Sequence, residues 1–308
     1  MGLFSLLTGE GRSPLRDPVN IASPEFKANP YPFYARLRAE APVYRMTLPT
    51  KETAWLISRY DDVTMVLKDE RFVKDTSNAL TPEQTSSQRW FRKLFKALKR
   101  NMLDLDPPDH TRLRALVHKA FTPRLIEQMR ERVQGLTDEL LDKVETQERM
   151  DLIRDYALPI PTTIIAEMLG VPVQDRHKFH RWSNALLSAA SSSWEMVKAV
   201  PNAWALMRYL RKIIHKRRAN PQDDLVSALA RAEEAGDTLS EDELLAMAFL
   251  LLVAGHETTV NLIGNGTLAL LEHPDQMEKL RNDPSLIKPA VEELLRYTSP
   301  SSYHRRKK

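Results

Sequence analysis

Apolar and polar positions along the chain change period several times, and each change marks an element. Between Asn29 and Pro42, "NPYPFYARLRAEAP" places Phe33 and Leu37 on one face behind a proline-marked start, which predicts a helix. "VYRMTL" and "AWLISR" read as two strands rich in β-branched and aromatic residues, joined into a hairpin by the turn-like "PTKET". Helical spacing returns in "YDDVTMVLKD", with Val63, Val66 and Leu67 apolar. From Thr111 onward nearly every segment is helical. "TPRLIEQMRERVQGLTDELLDKVE" follows a proline, and the apolar "LPIPTTIIAEMLGVP" is closed by Gly170 and Pro172. "DRHKFHRWSNALLSAA", "SWEMVKAVPNAWALMRYLRKIIHKRRA" and "DDLVSALARAEEAG" continue the pattern. Ser240 and Glu243 spell a capping box, with the acid three residues after the cap. The segment that follows stays helical to about Glu272, and at 1.5 Å per residue its length is about 48 Å, enough for the spine of a domain. A last helix runs through "PSLIKPAVEELLRY". The pattern predicts a mainly α protein with a small β-sheet near the N-terminus. It is expected to be a single domain over 1–308, irregular at 1–28 and 301–308.

Composition narrows this picture. The 308 residues are 42% hydrophobic and 28% charged, a balance that supports a large core. The formal net charge of +4 suits an acidic partner surface but does not by itself argue for nucleic acid, and none is expected as a partner. There is no cysteine, which removes disulfides, thiolate metal sites and cysteine nucleophiles and fits a cytoplasmic location. "MGLFSLLTGEGR" lacks the basic start and long apolar core of a signal peptide. The longest fully apolar run, Leu244 to Ala254, falls short of the ~20 residues that cross a bilayer, so no membrane span is expected. "QRWFRKLFKALKR", Gln88 to Arg100, is a basic amphipathic helix. It reads either as a face for a membrane surface or acidic partner, or as a solvated helix with a buried stripe.

The candidate chemistry sits in "LLLVAGHETTVNLIGNG", Leu250 to Gly266. A zinc protease needs a second histidine four residues after the first, and Val260 stands there instead. A dinucleotide fingerprint needs its glycines in a strand-to-helix turn, whereas Gly264 and Gly266 lie deep in a helical pattern, where they suit close helix packing. Ala254 and Thr258 share one helix face, extended by Leu250 and Leu262. Small residues beside a hydroxyl leave a shallow gap against which a flat ligand could lie. Glu257 adds an acid beside the alcohol, as a proton-delivery device requires. The same residues also suit a helix kink at Thr258 with Glu257 in a salt bridge.

The chain resembles the cytochrome P-450 family, soluble bacterial branch, from about Asn29 to Pro300. "AGHETT", Ala254 to Thr259, is similar to the oxygen-binding segment of that family's long central helix. "EELLR" carries its E-x-x-R pair as Glu293 and Arg296, and "DPPDHTRLRALVHKAFTPR" resembles its haem-flanking helix. The resemblance implies that His110 and Arg114 hold the haem propionates and that Ala254 and Gly255 lie over the distal haem face. It implies that Glu257 and Thr258 are the acid–alcohol pair that delivers protons in oxygen activation. Glu293 and Arg296 are then a structural ion pair supporting the core, and Ala79 to Asn101 a variable region covering substrate. The implied reaction inserts one oxygen atom from O2 into a small hydrophobic substrate. Electrons come from NAD(P)H through a ferredoxin or flavodoxin with its reductase.

One departure matters. The family's iron ligand is a cysteine thiolate beyond the E-x-x-R helix, and this sequence has no cysteine. After Pro300 the tail "SSYHRRKK" no longer resembles the family, and His304 stands alone as a conceivable replacement ligand. The expectation is a P-450 fold lacking its C-terminal haem-thiolate region, truncated or frame-shifted, with no metal ligand and no activity as it stands. The competing expectation is a non-catalytic remnant that binds a hydrophobic small molecule or a protein partner. Loss of the proximal loop should expose apolar surface and lead to poor solubility or dimerisation.

Overall fold

The computed structural model describes residues 23, 26, 29–47, 53–75, 98–188, 193–234 and 236–298. Most of the basic helix expected at Gln88 to Arg100, most of the substrate-covering region, and the two terminal segments lie outside the described residues. The chain divides into two compact units, one reaching from the N-terminus to Val73 and the other spanning Lys74–Ser301.

The first unit holds α1 (Tyr31–Glu40), the strands β1 (Val43–Thr47) and β2 (Thr53–Ile57), and α2 (Tyr60–Lys68). The strands pair antiparallel with Tyr44 opposite Leu56, the expected hairpin. Leu37, Ala41 and Tyr44 are buried together, and Phe33 meets the Tyr44 ring edge-on at 6.0 Å. Leu67 departs from the expected stripe of α2 and is 77% exposed.

The second unit is helical. It runs through α3 (Asp109–Ala120), α4 (Pro123–Glu145), a π-helical turn (Leu152–Ala157) and α5 (Pro159–Met168). It continues with α6 (Arg176–Ser188), α7 (Ser193–Ala219) and α8 (Leu225–Arg231), then α9 (Glu241–Glu272), α10 (Pro274–Asn282) and α11 (Ile287–Thr298). The starts follow local chemistry. Thr122 accepts from the Leu125 amide at 3.2 Å with a proline in the first turn of α4, and Asp224 accepts from the Ser227 amide at 2.8 Å at the head of α8. One expectation fails here: "DDLVSALARAEEAG" is not helical throughout. Helix α8 stops at Arg231, and Glu233–Glu234 pairs antiparallel with Asp237–Thr238 as β3 and β4. Gly236 sits at φ +83, a left-handed conformation that glycine adopts without strain, and this turns the chain where Glu and Ala alone would have continued the helix.

Helix α9 is the spine. Ser240 accepts from the Glu243 amide, and the Glu243 carboxylate takes the Ser240 amide at 2.8 Å, a complete capping box. The helix packs against α5, α7, α8, α10, α11 and the π-helical turn. By length and composition it could cross a membrane, yet its first turns lie in the main core, where Leu244 and Leu245 join Leu113 of α3, Leu206 of α7 and Leu225 of α8. Two glycines serve close approach. A methyl group on Gly264 would fall 2.5 Å from Ile153 Cδ1 of the π-helical turn, and one on Gly266 would fall 3.3 Å from Leu294 Cδ1 of α11. At the end of α5, Gly170 (φ +68) leaves room for a buried ion pair between Arg217 of α7 and Asp224, and Arg217 also donates to the Gly170 carbonyl at 3.0 Å.

Candidate functional site

Around Gly255 the two sides of α9 part company. Ala254, Glu257 and Thr258 are exposed, while His256 and Val260 are buried. The Thr258 hydroxyl donates to the Ala254 carbonyl at 2.7 Å, and the Thr259 hydroxyl donates to the Gly255 carbonyl at 2.9 Å. Both bonds run back one turn, as mid-helix threonines allow. Glu257 has no ion pair among the described residues, so the salt-bridged alternative is not what the helix adopts. Gly255 turns from this open face toward α5, where an added methyl would meet Ile165 Cδ1 at 3.1 Å. Leu250 and Leu262 flank the open face, each partly buried. The result is a small, uncovered patch on a helix whose opposite side, with Leu252 and His256, is packed.

On α3, His110 is half-buried and Arg114 exposed, one turn apart. Neither has an acidic partner among the described residues, so both are available to a ligand carboxylate. The residue between them is committed elsewhere. Arg112 bonds Glu243 of the capping box, and reaches Asp237 of β4 at 3.1 Å. Burial alone would raise the Glu243 carboxyl, but its bonds to Ser240 and the Arg112 guanidinium outweigh that and hold it below its ordinary range. This ion pair ties the helix bearing His110 and Arg114 to the head of the helix bearing Glu257 and Thr258. Sequence reasoning missed it, because Arg112 and Glu243 are 131 residues apart.

Glu293 and Arg296 bond side-on, Nε to Oε2 at 2.7 Å and Nη2 to Oε1 at 2.5 Å. The pair forms as expected between these two residues, and it lies at the surface of the described residues, with side chains 57% and 70% exposed. The second feature missed from sequence is on the closed side of α9. His256 is 5% exposed, and neither ring nitrogen has a partner among the described residues.

A family model for cytochrome P-450 matches residues 12–287. The chain belongs to the cytochrome P-450 family. Among its relatives, the polyketide biosynthesis cytochrome P-450 PksS of Bacillus subtilis (strain 168) is 44% identical over 279 residues, covering 90% of this chain and 68% of PksS. The cytochrome P-450 monooxygenase PikC of Streptomyces venezuelae is 45% identical over 90% of this chain and 64% of its own length. The solved structure of PksS, from the Bacillus subtilis 168 bacillaene polyketide synthase, superposes with a TM-score of 0.84 at 43% identity, covering 92% of this chain and 69% of that one. The structure of P-450 BioI in complex with hexadec-9Z-enoic acid ligated acyl carrier protein gives 0.78 at 39% identity, over 89% and 70% of the two chains. The chain therefore spans about two thirds of the length of these P-450 relatives, and its helical architecture with a small antiparallel sheet is the P-450 fold.

The family implies haem. The His110 imidazole and the Arg114 guanidinium, unpaired among the described residues, can both donate to the carboxylates of such a group, and the small exposed Ala254 suits its flat face. The residues present fit this part of a haem P-450 site. These 308 residues contain no cysteine, so a thiolate ligand is not among them.

Proposed function

We propose that the open face of α9 and the donors His110 and Arg114 of α3 are the oxygen-activation and propionate-binding parts of a haem monooxygenase. Its reaction would insert one oxygen atom from O2 into a small hydrophobic substrate, with electrons from NAD(P)H through a ferredoxin or flavodoxin and its reductase. One observation carries this reading: Ala254, Glu257 and Thr258 stand uncovered together on the spine helix of a P-450 chain. Haem, when bound, supplies the centre at which O2 is activated. The chain's residues have separable roles. His110 and Arg114 hold carboxylates from one helix face. Ala254 leaves space that a larger side chain would fill. The Thr258 hydroxyl donates its proton to the Ala254 carbonyl, so its lone pairs remain free to accept from an incoming donor. Glu257, exposed beside it, can pass solvent protons to that position. The acyl chain named in the complex of the BioI neighbour supports an apolar substrate class.

With no cysteine among its residues, the chain by itself should not turn over substrate. Haem titrated into the purified chain should bind without the red-shifted ferrous–CO Soret band of a thiolate-ligated haem. The His110→Ala, Arg114→Ala double variant should bind haem at least tenfold more weakly, consistent with charge-assisted bonds of about 1.5–3 kcal/mol each. A thiolate-type band, or haem binding untouched by the double variant, would overturn the reading. A non-catalytic role in holding a hydrophobic small molecule is the second reading, favoured by exposed Leu268 and Leu271 on α9 and Leu295 on α11. It requires hydrophobic-probe binding that the double variant leaves unchanged.

A further inference from the structure

The closed side of α9 contains a polar cluster that oxygen chemistry does not use. Four buried nitrogens lack hydrogen-bond partners among the described residues: Arg176 Nε, His180 Nε2, and both ring nitrogens of His256. They belong to one neighbourhood. Arg176 and His180 are one turn apart on α6, the Arg176 charge acts on His180, and His180 acts on His256 of α9. Both helices pack on α5 and α7, which places the His180–His256 neighbourhood beside those two supports. Buried polar atoms in native proteins are almost always satisfied, by protein or by ordered water. A buried water makes about three hydrogen bonds, and this chain of neighbouring side chains supplies polar atoms in that number. A neutral imidazole can both donate to such a water and accept from it.

We propose that Arg176, His180 and His256 enclose an internal hydration site between α6 and α9, whose ligand is water and whose histidines must stay neutral for the two helices to remain closed. The surrounding charges favour neutrality. Arg176 is a fixed cation beside His180, and its Nη1 pairs with Glu167 of α5 at 2.9 Å, which also binds Arg132. The titratable groups of α7 with ion-pair partners on α9 act elsewhere: Arg211 and His215 reach Glu241 and Asp242 at the far N-terminal end. No carboxylate bonds His180 or His256 among the described residues, so neither ring has a counter-ion for a gained proton. Burial, then the neighbouring His180, pushes the His256 imidazole down to about 4, and burial, then Arg176, lowers His180 as well.

The sign follows from linkage. With a folded value below the unfolded one, the unfolded chain binds the extra proton, so stability is complete above about pH 6.5 and declines as pH falls toward 4. For His256 alone, the folding equilibrium constant should drop about 30-fold between pH 7.5 and pH 5. The test is urea unfolding of the full chain across that range, with His256→Gln and His256→Leu beside the wild type. Both variants should lose most of the histidine-dependent decline. Histidine-selective nitrogen NMR of the wild type needs no variant to fold, and should find the His256 ring neutral at pH 5.5 with a magnetisation transfer contact to water. A His256 ring that titrates near 6.5, a ring without a water contact, or variants that keep the full acid decline would each overturn the proposal.

Discussion

The two faces of α9 share a helix and differ in nearly everything else. On the closed face, Leu244, Leu245, Leu252 and Val260 are at most 3% exposed, and one polar residue, His256, is sealed among neighbours. On the open face, Ala254, Glu257 and Thr258 meet solvent, and Leu268 is 42% exposed. A core helix usually hides its apolar residues and shows its charges. This one also presents a leucine outward, so the open face is not an ordinary solvated surface. The buried apolar side chains are concentrated on one side, and the candidate reactive groups occupy the side where little packing depends on them. That division allows a site to change without unfolding its support.

Substitutions can sharpen or break this contrast. The largest effect should come from Leu245→Ala, which removes a fully buried side chain and should cost about 2–5 kcal/mol in urea unfolding. A cost under 1 kcal/mol would mean the closed face is not the structural one. Next, Glu243→Gln breaks the charged bonds to Arg112 and Ser240 and should cost about 1–3 kcal/mol at neutral pH. Because the Glu243 carboxyl lies below its ordinary value of 4.5 when folded, its contribution is present above that value and lost as pH falls through the folded one. The gap between wild type and variant should therefore stay constant from pH 7 to pH 5 and close in stronger acid. Measured in the same pH series, it separates from the histidine-dependent decline, which lies at higher pH. The smallest effects belong to the open face. Leu268→Ala and Thr258→Val should each change stability by no more than about 0.5 kcal/mol. A loss above 1.5 kcal/mol in either would show that this face is packed in solution.

What could be read from sequence was local. The α9 boundaries follow from Ser240, Glu243 and an unbroken apolar period, so both ends of the helix were legible. The β1–β2 hairpin followed from alternation and a turn, and the "AGHETT" motif found the open face. What failed depended on partners far away in the chain. Arg112 reads as one more surface cation until it meets Glu243. Glu293 and Arg296 were found as a pair, but their exposure depends on what packs around α11. The first histidine of the failed zinc pair, His256, gave no hint of a buried role, since nothing nearby in sequence reveals that His180 of α6 acts on it. The end of α8 was misjudged because Glu233, Glu234 and Ala235 favour helix, and a single glycine overrode them.

The two threonine hydroxyls on α9 have one more consequence. Each lends a second donor to a carbonyl that already serves the helix, at Ala254 and again at Gly255. A carbonyl shared between two donors holds each less tightly, and such spots bend or admit solvent sooner than their surroundings. The amide protons of Thr258 and Thr259 should therefore trade for deuterium ahead of those one turn to either side. A helix firmly capped at its head would then have its weakest link near the middle, at the candidate site residues.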